Sequence, residues 1–114
     1  MRGRVNYGAK RTRGFPSKLE AAVYDMLVLK HGAENVLRQQ PIVLQGGKRV
    51  TRITWKVDFK VLTGDSFYYV EAKGFPTDVY KLKLKLFRGM SPRPAPLEIW
   101  GGSSKRLVLM ERIQ

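Results

Sequence analysis

The chain has 114 residues, 43% of them apolar, which is enough for one domain with one core, too few for two, and too apolar for a disordered chain. With 22 basic against 9 acidic side chains the formal net charge is +13. That charge makes nucleic acid the first candidate partner and an anionic membrane surface a weaker second, because no basic amphipathic tail helix or lipidation motif is present.

Residues 1–14 carry Arg2, Arg4, Lys10, Arg11 and Arg13 between Gly3, Gly8 and Gly14, with no acid among them. They read as a basic flexible arm that orders on phosphates, leaving residues 15–114 as the single folded domain. Ser17-x-x-Glu20 is a capping-box pattern, and Leu19, Ala22, Val23, Met26 and Leu27 follow at helical spacing, so residues 17–31 are predicted as a helix. Gly32 suits its C-terminal stop, with His31 a helix-end cation in the last turn. Asn35 to Gln45 is a strand candidate in which Pro41 indicates an edge position or a bulge. Gly46-Gly47 signals a turn, and a return strand follows from about Lys48 to Leu62. In it Ile53, Trp55, Val57, Phe59 and Val61 alternate with Thr54, Lys56, Asp58 and Lys60, a period of two that puts the five apolar residues on one face. After Thr63-Gly64-Asp65-Ser66 the next strand runs from Phe67 to Lys73, with Phe67, Tyr69, Glu71 and Lys73 on one face.

The register of this hairpin follows from its loop. If residues 63–66 form the loop, Leu62 pairs with Phe67, Val61 with Tyr68, Phe59 with Val70 and Val57 with Ala72, giving one apolar face. On the other face Asp58 falls opposite Glu71 and Lys56 opposite Lys73. A slip of one residue would mix the faces, so the parity is fixed by the core. Directly opposed carboxylates sit about 5 Å apart at Cβ and repel. One of them must titrate upward unless a cation lies between them. In a chain this basic, two acids and Lys73 converging on a sheet face suggest a divalent-metal site that cuts phosphodiesters. The plainer alternative is an ordinary cross-strand salt bridge of Asp58 or Glu71 with neighbouring lysines.

Gly74-Phe75-Pro76-Thr77-Asp78 reads as a turn leading into a helix start. Val79 to Arg88 fits both a strand, through Leu82, Leu84 and Leu86, and a helix. The leading cap and the helix formers favour the helix, with Val79, Leu82, Leu86 and Phe87 as its buried stripe. Lys81, Lys83, Lys85 and Arg88 then form a basic stripe suited to backbone phosphates. Tyr7, Phe75 and Tyr80 either stack on bases or pack under a loop. A proline-rich loop, Ser91 to Pro96, precedes two further strands, Leu97 to Trp100 and Lys105 to Met110. The chain has no cysteine and one histidine, which removes thiolate zinc sites and nearly excludes a Ser-His-Asp triad. The missing cysteine fits a cytoplasmic location. No run is long enough to span a membrane, and Met1-Arg2-Gly3-Arg4 leads into no apolar signal core.

The order helix, three strands, helix, two strands, with Asp58 and Glu71-Ala72-Lys73, resembles the PD-(D/E)xK nuclease superfamily. Over about residues 15–90 the chain is similar to small phage and prophage endonucleases related to Holliday junction resolvases. The likeness rests on Ser17 to Glu20, Gln40-Pro41, Trp55-Lys56-Val57-Asp58-Phe59, and the run from Glu71-Ala72-Lys73-Gly74 to Lys83, with Val57 standing where the superfamily often has proline. The resemblance implies an α/β fold with a restriction-endonuclease-like core (α-β-β-β-α-β-β), its mixed central sheet flanked by helices. It implies a DNA endonuclease dependent on Mg²⁺ or Mn²⁺, acting on branched DNA and leaving 5′-phosphate and 3′-hydroxyl ends. Asp58, Glu71 and the backbone carbonyl of Ala72 would hold the ion, with Glu20 as ligand of a second ion or through a metal-bound water. Lys73 would orient the attacking water or stabilise the phosphorane, and Gln40 would lie at the rim. A homodimer is expected because junction cutting needs two coordinated nicks; no small-molecule cofactor and no membrane are expected, and a phage-encoded protein would work in the bacterial host cytoplasm. The rivals are a non-catalytic basic nucleic-acid-binding protein of ribosomal or architectural type, and a nicking or replication-linked nuclease of the same fold.

Overall fold

The computed structural model describes residues 13–47 and 50–114. Arg2, Arg4, Tyr7, Lys10 and Arg11 lie outside the described residues, as does most of the arm. The first helix, α1, spans Lys18–His31 and begins where the capping pattern places it: Ser17 is extended and its Oγ accepts the Glu20 N–H at 3.1 Å. Gly32 ends it at φ 92°, a left-handed angle that favours glycine, and its N–H returns to the Val28 carbonyl at 2.7 Å. A single 3-10 turn, Ala33–Asn35, leads to β1 (Val36–Gly47), β2 (Val50–Thr63), β3 (Ser66–Ala72), α2 (Asp78–Arg88), β4 (Leu97–Ser103) and β5 (Arg106–Ile113). The element order is the expected one. Gly46-Gly47, which the sequence suggests as a turn, lies within β1 instead, and Gly47 pairs with Val50 of β2.

The five strands form one mixed sheet in the order β1-β2-β3-β4-β5, antiparallel except for β3 and β4, which are parallel and joined through α2. Pro41 lies in the edge strand β1, where its missing N–H breaks no ladder bond of a central strand, and β1 also carries two register irregularities after Val43. Along β3, Tyr69 joins a core containing Tyr80 and Phe87 of α2, while Val70 joins a core containing Ala21, Val23 and Leu27 of α1. Successive strand residues face opposite sides, so the two helices cover opposite faces of the sheet. In α1 it is Ala21, Val23 and Leu27 that are buried, with Leu19 and Met26 packed against them and Ala22 half-buried. No helix among the described residues is long and apolar enough to cross a membrane.

Two sequence expectations fail in informative ways. The five apolar residues of β2 do not share a face: Phe59 and Val61 belong to the α1 core, and Trp55 and Val57 to the α2 core. The strand changes sides at Asp58. Across from it the Cα register passes from Arg38↔Phe59 to Gln40↔Val57, and the intervening Gln39 has φ 54°. A left-handed residue resets the alternation of its strand, and the paired strand follows. The buried stripe of α2 also differs. Tyr80 and Phe87 are buried and Leu84 packs against them, whereas Val79 and Leu82 are exposed. Thr77 Oγ1 caps the Tyr80 N–H at 3.2 Å, as expected. The rotation of the helix is set by Tyr80, whose ring meets Trp55 edge-on at 5.9 Å.

Candidate active site

Asp58 and Glu71 are neighbours just beyond the last backbone pair of β2 and β3, in a hairpin whose register is the one its loop predicts. Every pair from Thr63↔Ser66 to Phe59↔Val70 matches it. The backbone pairing stops there and does not continue to Val57 opposite Ala72 or Lys56 opposite Lys73. Beyond Phe59↔Val70 the two carboxylates replace the ladder. Asp58 Oδ2 accepts the Ala72 N–H at 2.8 Å, and Glu71 Oε1 accepts the Asp58 N–H at 3.1 Å. Backbone amides that a regular sheet would have paired are satisfied by the acids, and each acid is thereby fixed in direction. Beyond them the Lys73 N–H donates to the Trp100 carbonyl at 2.8 Å, which ties the end of the Glu-x-Lys segment to β4.

Burial makes this pair unusual. Among the described residues the buried charged side chains are Glu20 and Glu71, each 6% exposed, and Asp58 is half-buried. Desolvation, then repulsion by Asp58, pushes the Glu71 carboxyl up to about 8, against the opposing effects of the Asp58 N–H and Lys73; Glu20 pushes it further up. Asp58 is raised as well, chiefly by burial, with the Ala72 N–H, Lys73, Glu71 and Arg38 acting in the other direction. Two acids that cannot comfortably ionise together attract a proton or a cation. Glu20 therefore stands within electrostatic reach of Glu71, from the first turn of α1, although the same residue belongs to the capping sequence.

Lys73 is half-buried, with its Nζ 4.5 Å from the centre of the Tyr80 ring. Tyr80 is itself 8% exposed, and burial, then the charges of Glu71 and Glu111, push its hydroxyl up to about 12. It is thus a floor under the lysine and stays protonated. Gln40 is half-buried and turns its amide back to the Arg38 carbonyl at 2.8 Å, one residue beyond the left-handed Gln39. Arg38 is a site cation that sequence reasoning did not single out. It lies opposite Phe59, its guanidinium carbon sits 3.8 Å from the centre of the Phe15 ring, and its charge favours ionised Asp58.

The predicted nucleic-acid contacts are less uniform. Lys81 and Lys85 are exposed and Lys83 is half-buried. Arg88 is exposed too, but both its terminal nitrogens donate to Glu111 of β5. Arg13, which the sequence places in the arm, donates to both carboxylate oxygens of Asp25, at 3.1 and 2.8 Å. Each of these arginines is charge-matched within the chain.

The donor set agrees with a hard cation. Among the described residues no three His, Cys, Asp or Glu side chains are grouped as a ready-made cage. Mg²⁺, however, is commonly held by one or two carboxylates and completed by water and substrate phosphate. Asp58 and Glu71 each commit one oxygen to a backbone amide, and the two carboxyls also interact with each other through their side chains. Comparisons with known proteins find no matching family profile, no similar curated protein and no similar solved structure.

Proposed function

We propose that the protein is a DNA endonuclease dependent on Mg²⁺ or Mn²⁺, built on a restriction-endonuclease-like core, that acts on branched DNA as a homodimer. The observation that carries this reading is the buried Asp58–Glu71 pair with Lys73 beside it, in a chain of net charge +13. Such a pair weakens a domain unless something uses it. Asp58, Glu71 and the carbonyl of Ala72 would hold the ion, with Glu20 supporting it from α1. The ion, when bound, supplies an acidified water and charge neutralisation at the scissile phosphate. The chain's own part is orientation and electrostatics. The two amide hydrogen bonds aim the carboxylates, the Tyr80 ring holds Lys73 above the site, and Lys73 orients the water or stabilises charge on the phosphorane. Arg38, Lys81, Lys83 and Lys85 attract the backbone without reading sequence.

The test is a nicking assay on a synthetic four-way junction, a flap and a linear duplex, with Mg²⁺, Mn²⁺ or neither. Wild type should cut the junction fastest and only with metal, while Asp58→Asn and Lys73→Ala bind and do not cut. Binding without cutting by wild type would leave a basic binding protein. Wild-type cutting by Asp58→Asn would remove the assigned site.

A further inference from the structure

Three large apolar side chains in the stretch of chain after Lys73 stand in solvent: Phe75 is 81% exposed, Val79 62% and Leu82 57%. The sequence left Phe75 and Tyr80 with the same two readings, and the structure separates them. Tyr80 is core; Phe75 is not packed beneath anything that shields it. Phe75 follows Lys73 by two residues on the segment joining β3 to α2, so the two Cα atoms are at most about 7 Å apart. Val79 and Leu82 are one turn apart on α2, and Val79 directly precedes Tyr80, whose ring carries the Lys73 ammonium. Lys81 and Lys85 are exposed on the same helix. Phe75 therefore follows the site lysine closely in the chain, and the helix that comes next carries exposed cations.

Intact duplex has little to offer such a surface. Its outside is phosphate and sugar, and its base faces are already stacked. An unpaired nucleotide presents both a phosphate for lysine and a π-face for an aromatic ring, the combination by which single strands are gripped. A second copy of the chain fits this surface less well, because it would bring Lys81 and Lys85 against their own counterparts.

We propose that Phe75, exposed two residues after Lys73, is a stacking platform for an unpaired nucleobase next to the phosphodiester presented to Asp58 and Glu71. The platform makes the site select strands with unstacked bases over continuous duplex. This rests on the nucleic-acid reading above and names the substrate feature the site selects.

Binding and cutting are measured separately. Oligonucleotides with 2-aminopurine at an unpaired position, and a matched linear duplex, are titrated with the full chain in Ca²⁺ without Mg²⁺ or Mn²⁺. Wild type should quench the 2-aminopurine emission. Phe75→Ala should lose the quench and lower the ratio of single-strand to duplex affinity about tenfold, the size of one stacking contact. Phe75→Trp should restore both, and Leu29→Ala, an exposed position on α1, should alter neither. An unchanged quench and ratio in Phe75→Ala overturns the platform, as does an equal loss on both substrates. So does a concentration-dependent doubling of wild-type mass that Phe75→Ala abolishes, which would assign the patch to self-association. If wild type quenches but never cuts in Mg²⁺ or Mn²⁺, the platform stands and the nuclease reading falls. If it cuts and the ratio does not move, the platform falls alone. If wild type binds neither oligonucleotide, both fall.

Discussion

On one face of the sheet, Ala21, Val23 and Leu27 of α1 close over Phe59, Val61 and Val70, with Phe15 sealing the edge. On the other, Tyr80 and Phe87 of α2 cover Trp55, Val57 and Leu97. The α1 core contributes one buried acid, Glu20, and the α2 core one buried tyrosine under a lysine. Strand β2 belongs to both, and Asp58 lies at the step between them. A strand that keeps one face throughout uses its amides in ladders. A strand that changes faces frees amides at the step, and here carboxylates occupy them. The difference between the two cores is thus what creates the acidic pair, and changes on either side or at the step distinguish the two.

The largest effect is expected at the step. Lys73→Ala should lower the rate of junction cutting by at least about 10²–10³-fold, the scale of removing one group that stabilises transition-state charge, which leaves no cutting visible in the nicking assay, and DNA affinity should persist. Glu20→Gln, one layer back, should lose less; if it loses as much as Asp58→Asn in single-turnover assays, Glu20 is an equal partner in the site.

Next come the cores themselves. Phe59 and Phe87 are both fully buried, one in each core. Phe59→Ala and Phe87→Ala should each destabilise by about 3–5 kcal/mol in urea unfolding. Should either variant unfold in two separate transitions, the faces behave as independent units and the shared role of β2 is refuted.

The metal-free protein should also show an inverted pH response. The Glu71 carboxyl sits at about 8 in the folded chain, above its ordinary value near 4.5. Between these values the folded state binds the proton that the unfolded state has lost, so stability falls as pH rises through the window. Thermal melts from pH 5 to 8 should therefore decline, and Glu71→Gln should flatten the decline. Mg²⁺ should raise the melting temperature more at pH 8 than at pH 5, because it takes the place of that proton. A rising melting temperature without metal would contradict the buried, repelling pair.

The smallest effect is diagnostic of helix rotation. Leu82→Ala should change stability by no more than about 0.5 kcal/mol, as exposed positions do. Leu84→Ala, packed against the α2 core, should cost more. Equal costs would put Leu82 back in the buried stripe.

The hairpin around Asp65 was readable because a period of two fixes the parity, and a loop at residues 63–66 then sets Phe59 opposite Val70. The caps at Ser17 and Thr77 were readable for the same local reason. The face of α2 was not: Val79 and Tyr80 are both acceptable helix residues, and only Trp55, distant in sequence, chooses between them. Arg38 and Gln39 gave no signal because glutamine is not a residue that announces a left-handed turn.

The amino-acid order alone, through spacing, capping and loop length, determined that β2 pairs with β1 and β3 and that Asp58 and Glu71 meet. The side switch at Asp58, the burial that lifts Glu71, the Tyr80 floor under Lys73 and the exposure of Phe75 were decided by packing between elements far apart in the chain. Periodicity records how neighbours alternate along one strand; it carries no information about which of two cores, on opposite faces, each end of that strand will join.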